Sequence, residues 1–125
     1  MNKEIINTED APAPIGPYNQ AVKAGNFLFL SGQVALIPGG ELANKDIIEE
    51  THQVMKNLKA VLAKAGLDFS HVVKTTIFLS SMDMFAEVNK VYGDYFESNF
   101  PARETVAVKT LPKNANVEIS MIAAV

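Results

Sequence analysis

The segment of residues 116–125, NVEISMIAAV, places the strongest constraint on the fold of this chain. Its β-branched residues predict a strand. Alternate positions form two sets, Val117, Ile119, Met121 and Ala123 on one face and Glu118, Ser120, Ile122 and Ala124 on the other. A sheet with one face in water has a polar set on that face, whereas both sets here contain apolar side chains. We therefore expect both faces of this sheet to be covered.

The rest of the chain supplies more strands but only two helices. Strands are predicted at residues 2–8 (a short edge strand), 20–23, 27–31, 71–79 (a central strand) and 105–108, with a hairpin turn at 24–26. Apolar periodicity predicts helices at 48–65 and 85–96. Gly66 ends the first helix and the Phe100-Pro101 pair ends the second. A proline-rich loop at 11–17, which we expect to be ordered, joins the first two strands.

This order of elements predicts one α+β domain of 125 residues, with two helices packed on one face of a mixed sheet. Two helices cover only that face. The apolar residues on the other face then have to be buried against other subunits, which predicts a homo-oligomer.

Composition excludes several classes of function. A formal charge of −3 and a pI near 5.3 remove the main attraction for phosphates, so nucleic acid is not an expected partner. The chain has no cysteine and only two histidines, so we expect no metal site. The sequence shows neither a secretory signal nor an apolar run long enough to cross a membrane, which predicts a cytoplasmic protein without a membrane partner.

Two polar residues stand out on chemical grounds. Arg103 is the one arginine beside ten lysines, and its planar guanidinium can bind a carboxylate through two hydrogen bonds. The alternative is a surface arginine that lies over the sheet edge. Glu118 lies inside an apolar strand, where glutamate is rare; the alternative is a solvated edge position.

Six segments give the chain a resemblance to a known family. They are APIGPYNQA at 13–21, LSGQV at 30–34, QVMKNL at 53–58, VNKVY at 88–92, PAR at 101–103 and VEI at 117–119. Their order and separations resemble those of the RidA (YjgF) family of reactive-intermediate deaminases, which act on imines and enamines. The resemblance covers essentially the whole chain.

The resemblance implies a chorismate-mutase-like subunit and a homotrimer whose sheets face inward. It also implies three sites between subunits, at which 2-imino or 2-enamino acids such as 2-aminoacrylate and 2-iminobutanoate are hydrolysed to 2-keto acids and ammonia, without a cofactor. Carried over by residue, Arg103 would hold the substrate carboxylate and Glu118 would position and polarise the attacking water. The pocket would be shaped by Tyr18, Ser31, Gly32, Phe85, Asn89 and Thr105.

The chain departs from the family pattern at three positions. Thr105 stands where many relatives have cysteine, and Asn19 where serine is more frequent. Glu104 stands where a small residue is usual, next to Arg103. Because side chains alternate along a strand, we expect Glu104 to project from the opposite face and not to compete for the guanidinium.

For several other residues we favour a structural role. His52 is expected at a partly exposed surface and His71 at a cap or in solvent. Met82 and Met84 are expected to fill the core, and Tyr92 and Tyr95 to lie on the packing face of the second helix. Tyr18 has two interpretations, a loop anchor or a functional loop residue.

Three alternatives to the deaminase call for other residues or other charges. A trimeric metabolite-binding or chaperone-like module would use the same pocket without turnover, but it would not require both Arg103 and Glu118. A ribonuclease or translation inhibitor lacks phosphate affinity and an acid and base pair. A chorismate mutase, with a dianionic substrate, would call for more than one arginine.

Overall fold

The computed structural model describes residues 2–125. Within them the chain forms, in order, β1 (Lys3–Ile6), β2 (Ala21–Ala24), β3 (Phe27–Gln33), α1 (Ile47–Lys64), β4 (Val72–Leu79), α2 (Phe85–Gly93), β5 (Ala102–Ala107) and β6 (Val117–Ala124). Short 3-10 helices lie at Phe69–His71, Met82–Met84 and Pro112–Asn114. The predicted order of strands and helices is confirmed.

The six strands form one mixed sheet in the order β1-β2-β3-β6-β4-β5. All neighbours are antiparallel except β4 and β5, which are parallel. The predicted edge position of β1 and the central position of β4 are therefore confirmed. Because β6 lies between β3 and β4, the alternative that placed Glu118 at a solvated edge is wrong.

Both helices pack on one face of the sheet, as predicted. The Asp46 side chain caps α1 by accepting a hydrogen bond from the Glu49 N–H, and Gly66 follows the helix with a φ of 77°, which glycine adopts without strain. Together the helices and the sheet bury a core that includes Leu28, Val54, Leu58, Leu62, Ile77, Leu79, Ile119 and Met121. The predicted α+β class is confirmed.

The opposite face of the sheet, which we call the open face, carries exposed apolar side chains. Phe27 and Phe29 are 45% and 46% exposed on β3, and Val106 is exposed on β5. Ile122, paired with Phe29, is half-buried. A single chain thus leaves uncovered the face that the sequence predicts to be buried between subunits, and that burial stays a prediction.

The second helix is shorter than predicted. It ends at Gly93, so Tyr95 and Phe96 lie outside it, whereas the apolar spacing placed them within it. The reason is that the chain tightens after Gly93: the Tyr95 and Phe96 N–H groups bond to the carbonyls three residues earlier, at Tyr92 and Gly93. Both aromatic side chains still pack on the core.

Some strand limits also differ from the prediction. β5 begins at Ala102, three residues before the predicted start, because Ala102 and Arg103 already pair with Lys74 and Thr75 of the parallel strand β4. The strand predicted at 20–23 lies one residue later, as β2 (Ala21–Ala24), and the strand predicted at 27–31 continues to Gln33 in β3.

The methionine prediction holds for one of two residues. Met84 packs against the core, but Met82 is 47% exposed. It is the first residue of a 3-10 helix that Ser81 caps and in which no residue is fully buried. The prediction for Met82 is therefore wrong.

None of the helices within residues 2–125 combines the length and the apolar character needed to cross a membrane.

Candidate functional site

Arg103 lies on the edge strand β5, on the face that the helices cover. It pairs with Thr75 of β4, whose side chain is buried. The guanidinium carbon lies 5.2 Å from the ring centroid of Tyr92 and 5.8 Å from that of Phe85. The Tyr92 hydroxyl donates to the Thr75 hydroxyl at 2.9 Å, and burial raises the pKa of the Tyr92 phenol, so the ring stays neutral. Two aromatic rings on α2 thus hold the cation in place.

The charged end of Arg103 lies beside a surface cavity. Within residues 2–125 no carboxylate pairs with the guanidinium. A surface cavity of about 460 Å³ opens beside it, lined by Asn89, Tyr92, Gly93, Phe100, Pro101 and Arg103. A cation beside an open cavity is suited to binding an anionic group of a ligand.

Glu104 does not compete for this cation. Its carboxylate lies 3.1 Å from the Lys74 Nζ and accepts a hydrogen bond from the Thr76 hydroxyl at 2.8 Å. These two bonds, with the Thr76 bond the larger cause, lower the pKa of Glu104. The expectation that Glu104 projects from the opposite face is confirmed.

Thr105 shares the face of Arg103, two residues along the same strand. Its backbone pairs with Ile77, which is buried beneath the helices. Its hydroxyl is buried and has no hydrogen-bond partner within residues 2–125. An unsatisfied hydroxyl costs free energy and is available to a ligand or a water molecule.

Glu118 lies on the open face, in the middle of the sheet. It pairs with Phe78 of β4. On its other side, Leu30 pairs with Met121 and Gln33 with Ile119, so Ser31 and Gly32 form a bulge opposite Ser120. A Cβ built on Gly32 would lie 2.7 Å from the Glu118 Oε2 atom. Glycine at this position therefore lets the carboxyl lie directly against the bulged backbone.

The Glu118 carboxyl is half-buried, and burial raises its pKa above the ordinary value of 4.5. No hydrogen bond or ion pair holds it within residues 2–125. A carboxylate with a raised pKa and free oxygens is suited to accepting a proton.

The proline-rich loop at 11–17 is attached to the same bulge. The Ser31 hydroxyl donates to the Asn19 carbonyl at 2.6 Å, and the Ser31 N–H donates to the Gln20 carbonyl at 2.9 Å. The buried Gln20 amide in turn donates to the carbonyls of Ala11 and Pro12. The loop is therefore ordered, as expected, and it presents Tyr18, which is 48% exposed.

The candidate residues thus form two groups, which we name by their charged members. The arginine group comprises Phe85, Asn89, Arg103 and Thr105. The glutamate group comprises Ser31, Gly32 and Glu118, with Tyr18 next to Asn19, whose carbonyl accepts the Ser31 bond. Arg103 pairs with Thr75 and Glu118 with Phe78, three positions apart on β4. An odd separation places the two side chains on opposite faces of the sheet. One chain therefore does not bring Arg103 and Glu118 together.

Sequence reasoning missed two residues that shape these groups. The sequence predicts only a packing role for Tyr92, yet its ring centroid lies 5.2 Å from the Arg103 guanidinium carbon. Asn89 and Tyr92 are three residues apart on one helix and therefore share a face, and this spacing indicates that Tyr92 belongs with the candidate residue Asn89. Gln20, which anchors the loop, gave no local signal because its partners lie 8 to 12 residues earlier.

Both histidines have structural positions, as expected. His52 is partly exposed, and its Nδ1 lies 2.8 Å from the Tyr95 hydroxyl. His71 completes a capping box with Asp68. Within residues 2–125 no three histidine, aspartate or glutamate side chains are grouped as metal ligands.

Comparisons with known proteins identify the family. The family model described as Endoribonuclease L-PSP matches residues 8–125. A RutC family protein of Pyrococcus horikoshii is 50% identical over 122 residues, covering 97% of both chains. The 2-iminobutanoate/2-iminopropanoate deaminase of Mus musculus is 45% identical over 122 residues, covering 97% of this chain and 90% of that protein. The structure of E. coli TdcF with bound serine has a TM-score of 0.92 and 36% identity, with 98% of each chain covered. The chain therefore belongs to the Endoribonuclease L-PSP family, which includes the YjgF and RidA proteins.

Proposed function

We propose that this chain is the subunit of a homotrimeric hydrolytic deaminase. Its substrates are 2-imino and 2-enamino acids such as 2-aminoacrylate and 2-iminobutanoate, and its products are 2-keto acids and ammonia. The observation that carries the proposal is that neither the Arg103 guanidinium nor the Glu118 carboxyl has an ion-pair partner within residues 2–125, while a cavity opens beside Arg103. The deaminase named among the relatives, 45% identical over nearly the whole chain, supports this reaction.

Arg103 binds the substrate carboxylate in this proposal. The guanidinium forms two parallel hydrogen bonds to the two carboxylate oxygens, a geometry that the point charge of a lysine does not provide. The rings of Tyr92 and Phe85 keep the guanidinium in one orientation before the substrate arrives. TdcF, whose structure contains bound serine, provides a parallel, because serine also carries a carboxylate.

Glu118 acts on the water molecule. Its carboxylate accepts a proton from water as the water oxygen bonds to the imine carbon, and the electron pair of the C=N bond moves to nitrogen. The proton then passes to that nitrogen, which gives a carbinolamine. Glu118 next takes the proton of the new hydroxyl and passes it to the same nitrogen, so that the C–N bond breaks, ammonia leaves and the carbonyl forms. An imine carbon is already electrophilic, so a positioned water and one base are sufficient without a cofactor.

The position of the two groups on opposite faces supports a site built from two chains. Arg103 of one subunit and Glu118 of its neighbour would face a common substrate, and the open face with Phe27, Phe29 and Val106 would be buried inside the assembly. We expect a native mass of about 41 kDa, three times the 13.6 kDa of the chain. A monomer at micromolar concentration would refute the shared site.

The reaction is tested directly with a trapped imine. A pyridoxal-phosphate-dependent dehydratase generates 2-aminoacrylate from serine, and semicarbazide traps the imine that has not been hydrolysed. We expect the protein to lower the trapped fraction in proportion to its concentration. An unchanged trapped fraction, together with binding of a 2-keto acid, would instead indicate a metabolite-binding module without turnover.

Mixed trimers test the shared site. Arg103→Lys and Glu118→Gln subunits, each expected to have little activity alone, are unfolded together, refolded and assayed. If each site takes Arg103 from one chain and Glu118 from the next, random mixing in equal amounts restores about one quarter of the wild-type sites. If both residues act within one chain, no activity returns.

Ribonuclease activity, which the description of the family model names, is not part of this proposal. The charge of −3 and the lone arginine give little attraction for RNA phosphates.

A further inference from the structure

Glu50 is a fully buried carboxylate that the proposed reaction does not use. It lies on α1 with 0% of its surface exposed, and no lysine, arginine or histidine pairs with it within residues 2–125. It accepts three hydrogen bonds: from the Asn116 N–H at 2.7 Å, from the Asn116 side-chain Nδ2 at 3.0 Å and from the Val117 N–H at 3.3 Å. All three donors belong to the two residues that precede Glu118. Such bonds are what make a buried carboxylate tolerable.

Asn116 also connects the Glu50 hydrogen bonds to the end of strand β4. Its side-chain Oδ1 accepts a hydrogen bond from the Ser80 hydroxyl at 2.9 Å, and its carbonyl accepts one from the Ser80 N–H at 2.9 Å. The backbone and side chain of Asn116 are therefore fully engaged, by Glu50 on α1 and by Ser80 at the end of β4. The three residues join a helix and two strands where β6 begins.

We propose that Glu50 is a positioning residue that fixes the start of β6 and so holds the Glu118 carboxyl in its place beside Gly32. This inference rests on the proposed function. Glu118 follows Val117 directly, and these two residues form the last two pairs of β6 with β4, opposite Phe78 and Leu79. Beyond these pairs the start of β6 is held by the two Ser80–Asn116 bonds and by the three Glu50 bonds, and only the Glu50 bonds tie it to α1.

The position of Glu118 has little tolerance for movement. Its carboxyl lies so close to the bulge that a Cβ on Gly32 would be 2.7 Å away from Oε2. Loosening the start of β6 would therefore change both the direction of the carboxyl and its contact with water. Reacting groups displaced by about 1 Å lose up to about 100-fold in rate.

Substitutions at Glu50 distinguish the effect of its hydrogen bonds from the effect of burying a side chain of that size. Glu50→Ala removes all three acceptor bonds. Glu50→Gln preserves them if the Asn116 amide turns over, because the glutamine oxygen still accepts from the two backbone N–H groups and its NH₂ donates to the Asn116 oxygen. The Ser80 hydroxyl then accepts instead of donating. Glu49→Ala, at the exposed neighbouring position on α1, is the matched control.

The first measurement is steady-state kinetics with 2-aminoacrylate on folded trimers. We expect Glu50→Ala to lower kcat about 10- to 100-fold with little change in KM, because the Arg103 carboxylate site is untouched. Glu50→Gln and Glu49→Ala should retain nearly the wild-type kcat. A folded Glu50→Ala variant with wild-type kcat would overturn the inference.

A second pair of variants decides the matter if Glu50→Ala does not fold. Asn116→Asp places a second carboxylate against Glu50, and the two repel. Combining it with Glu50→Gln restores a donor opposite the new carboxylate. We expect the double variant to have a higher kcat than Asn116→Asp alone, and equal values would contradict the anchor.

A measurement without substrate separates this inference from the proposed function. The Glu118 carboxyl is followed by ¹³C NMR during a pH titration, with its signal assigned through Glu118→Gln. In Glu50→Ala the carboxyl should become more hydrated and its pKa should fall toward the ordinary value, whereas Glu49→Ala should leave it unchanged. A wild-type protein that fails to hydrolyse the imine would refute the deaminase alone; an identical Glu118 titration in both variants would refute the role of Glu50.

Discussion

The Gly32→Ala substitution tests the glutamate group at its tightest contact. The backbone of Gly32 is not in the left-handed region, unlike Gly25, Gly39, Gly40 and Gly66, so alanine meets no conformational barrier there. The new Cβ would instead lie 2.7 Å from the Glu118 Oε2 atom and 2.9 Å from its Cδ. Any effect of the substitution should therefore act through the position of the carboxyl.

The structure gives the size of that effect. Ordinary contacts of a Cβ begin at 3.4 Å, so the oxygen at 2.7 Å has to move by about 0.7 Å. Since misplacement by about 1 Å costs about 100-fold, we expect kcat to fall about 10- to 100-fold, which is ~1.4 to 2.7 kcal/mol of barrier. Binding of a 2-keto acid at Arg103 should change little.

The assay compares Gly32→Ala with Gly16→Ala. The second glycine also borders a candidate residue, but a Cβ there would lie 3.7 Å from the Tyr18 ring, an ordinary contact. Imine hydrolysis, 2-keto acid affinity and melting temperature are measured for both variants. A Gly32→Ala enzyme with wild-type kcat, or equal losses in the two variants, would refute the view that Gly32 exists to admit the carboxyl.

Further predictions concern the two charged residues. Arg103→Lys should abolish most activity while the trimer stays intact, because the charge survives but the paired hydrogen bonds do not; near-normal turnover would exclude the carboxylate role. Glu118→Gln should lower kcat by about 100-fold, in the lower part of the range for loss of a general base, and weaken 2-keto acid binding much less; equal losses would mean that Glu118 only maintains the pocket. Because burial raises the pKa of Glu118, activity should decline on acidification at a higher pH than an exposed glutamate would give, and a profile set by a pKa at or below the ordinary value would contradict this. The same raised pKa means that ionisation of Glu118 destabilises the fold as pH rises through the folded-state value. Glu118→Gln should therefore melt at a higher temperature than wild type above that value, and the difference should vanish well below pH 4.5, where the glutamate is protonated in both the folded and the unfolded chain.

Most of the fold follows from patterns that act over short distances. Gly66 ends α1 because it adopts a positive φ, and the β-branched, largely apolar run at 71–79 predicts the central strand that β4 forms. The end of α2 was not predictable in this way. Tyr95 and Phe96 keep the apolar spacing of a helical face, but their N–H groups bond to carbonyls three residues earlier, as in a 3-10 turn. Apolar spacing does not distinguish such turns from a continuing α-helix.

The sequence indicates which residues are candidates for the site, but it does not indicate how the sheet arranges them. Arg103 and Glu118 stand out from chemistry and from the family resemblance. Their placement on opposite faces depends on the pairing of β4 with both neighbours, and pairing register is a property of the folded sheet. Glu50 escaped notice because the groups that satisfy its carboxylate lie 66 and 67 residues away.

The two faces of β4 separate the arginine group from the glutamate group. Thr75 supports Tyr92 and pairs with Arg103 on the helix-covered face, while Phe78 pairs with Glu118 on the open face. A substrate small enough to have one carboxylate and one imine carbon cannot reach through a sheet whose core is closely packed. If both residues act on it, as we propose, they come from different chains, and a monomer has neither a complete site nor a covered sheet. Burial of Phe27 and Phe29 would then drive the assembly that also completes catalysis, so that a free subunit would be inactive without any separate regulatory device.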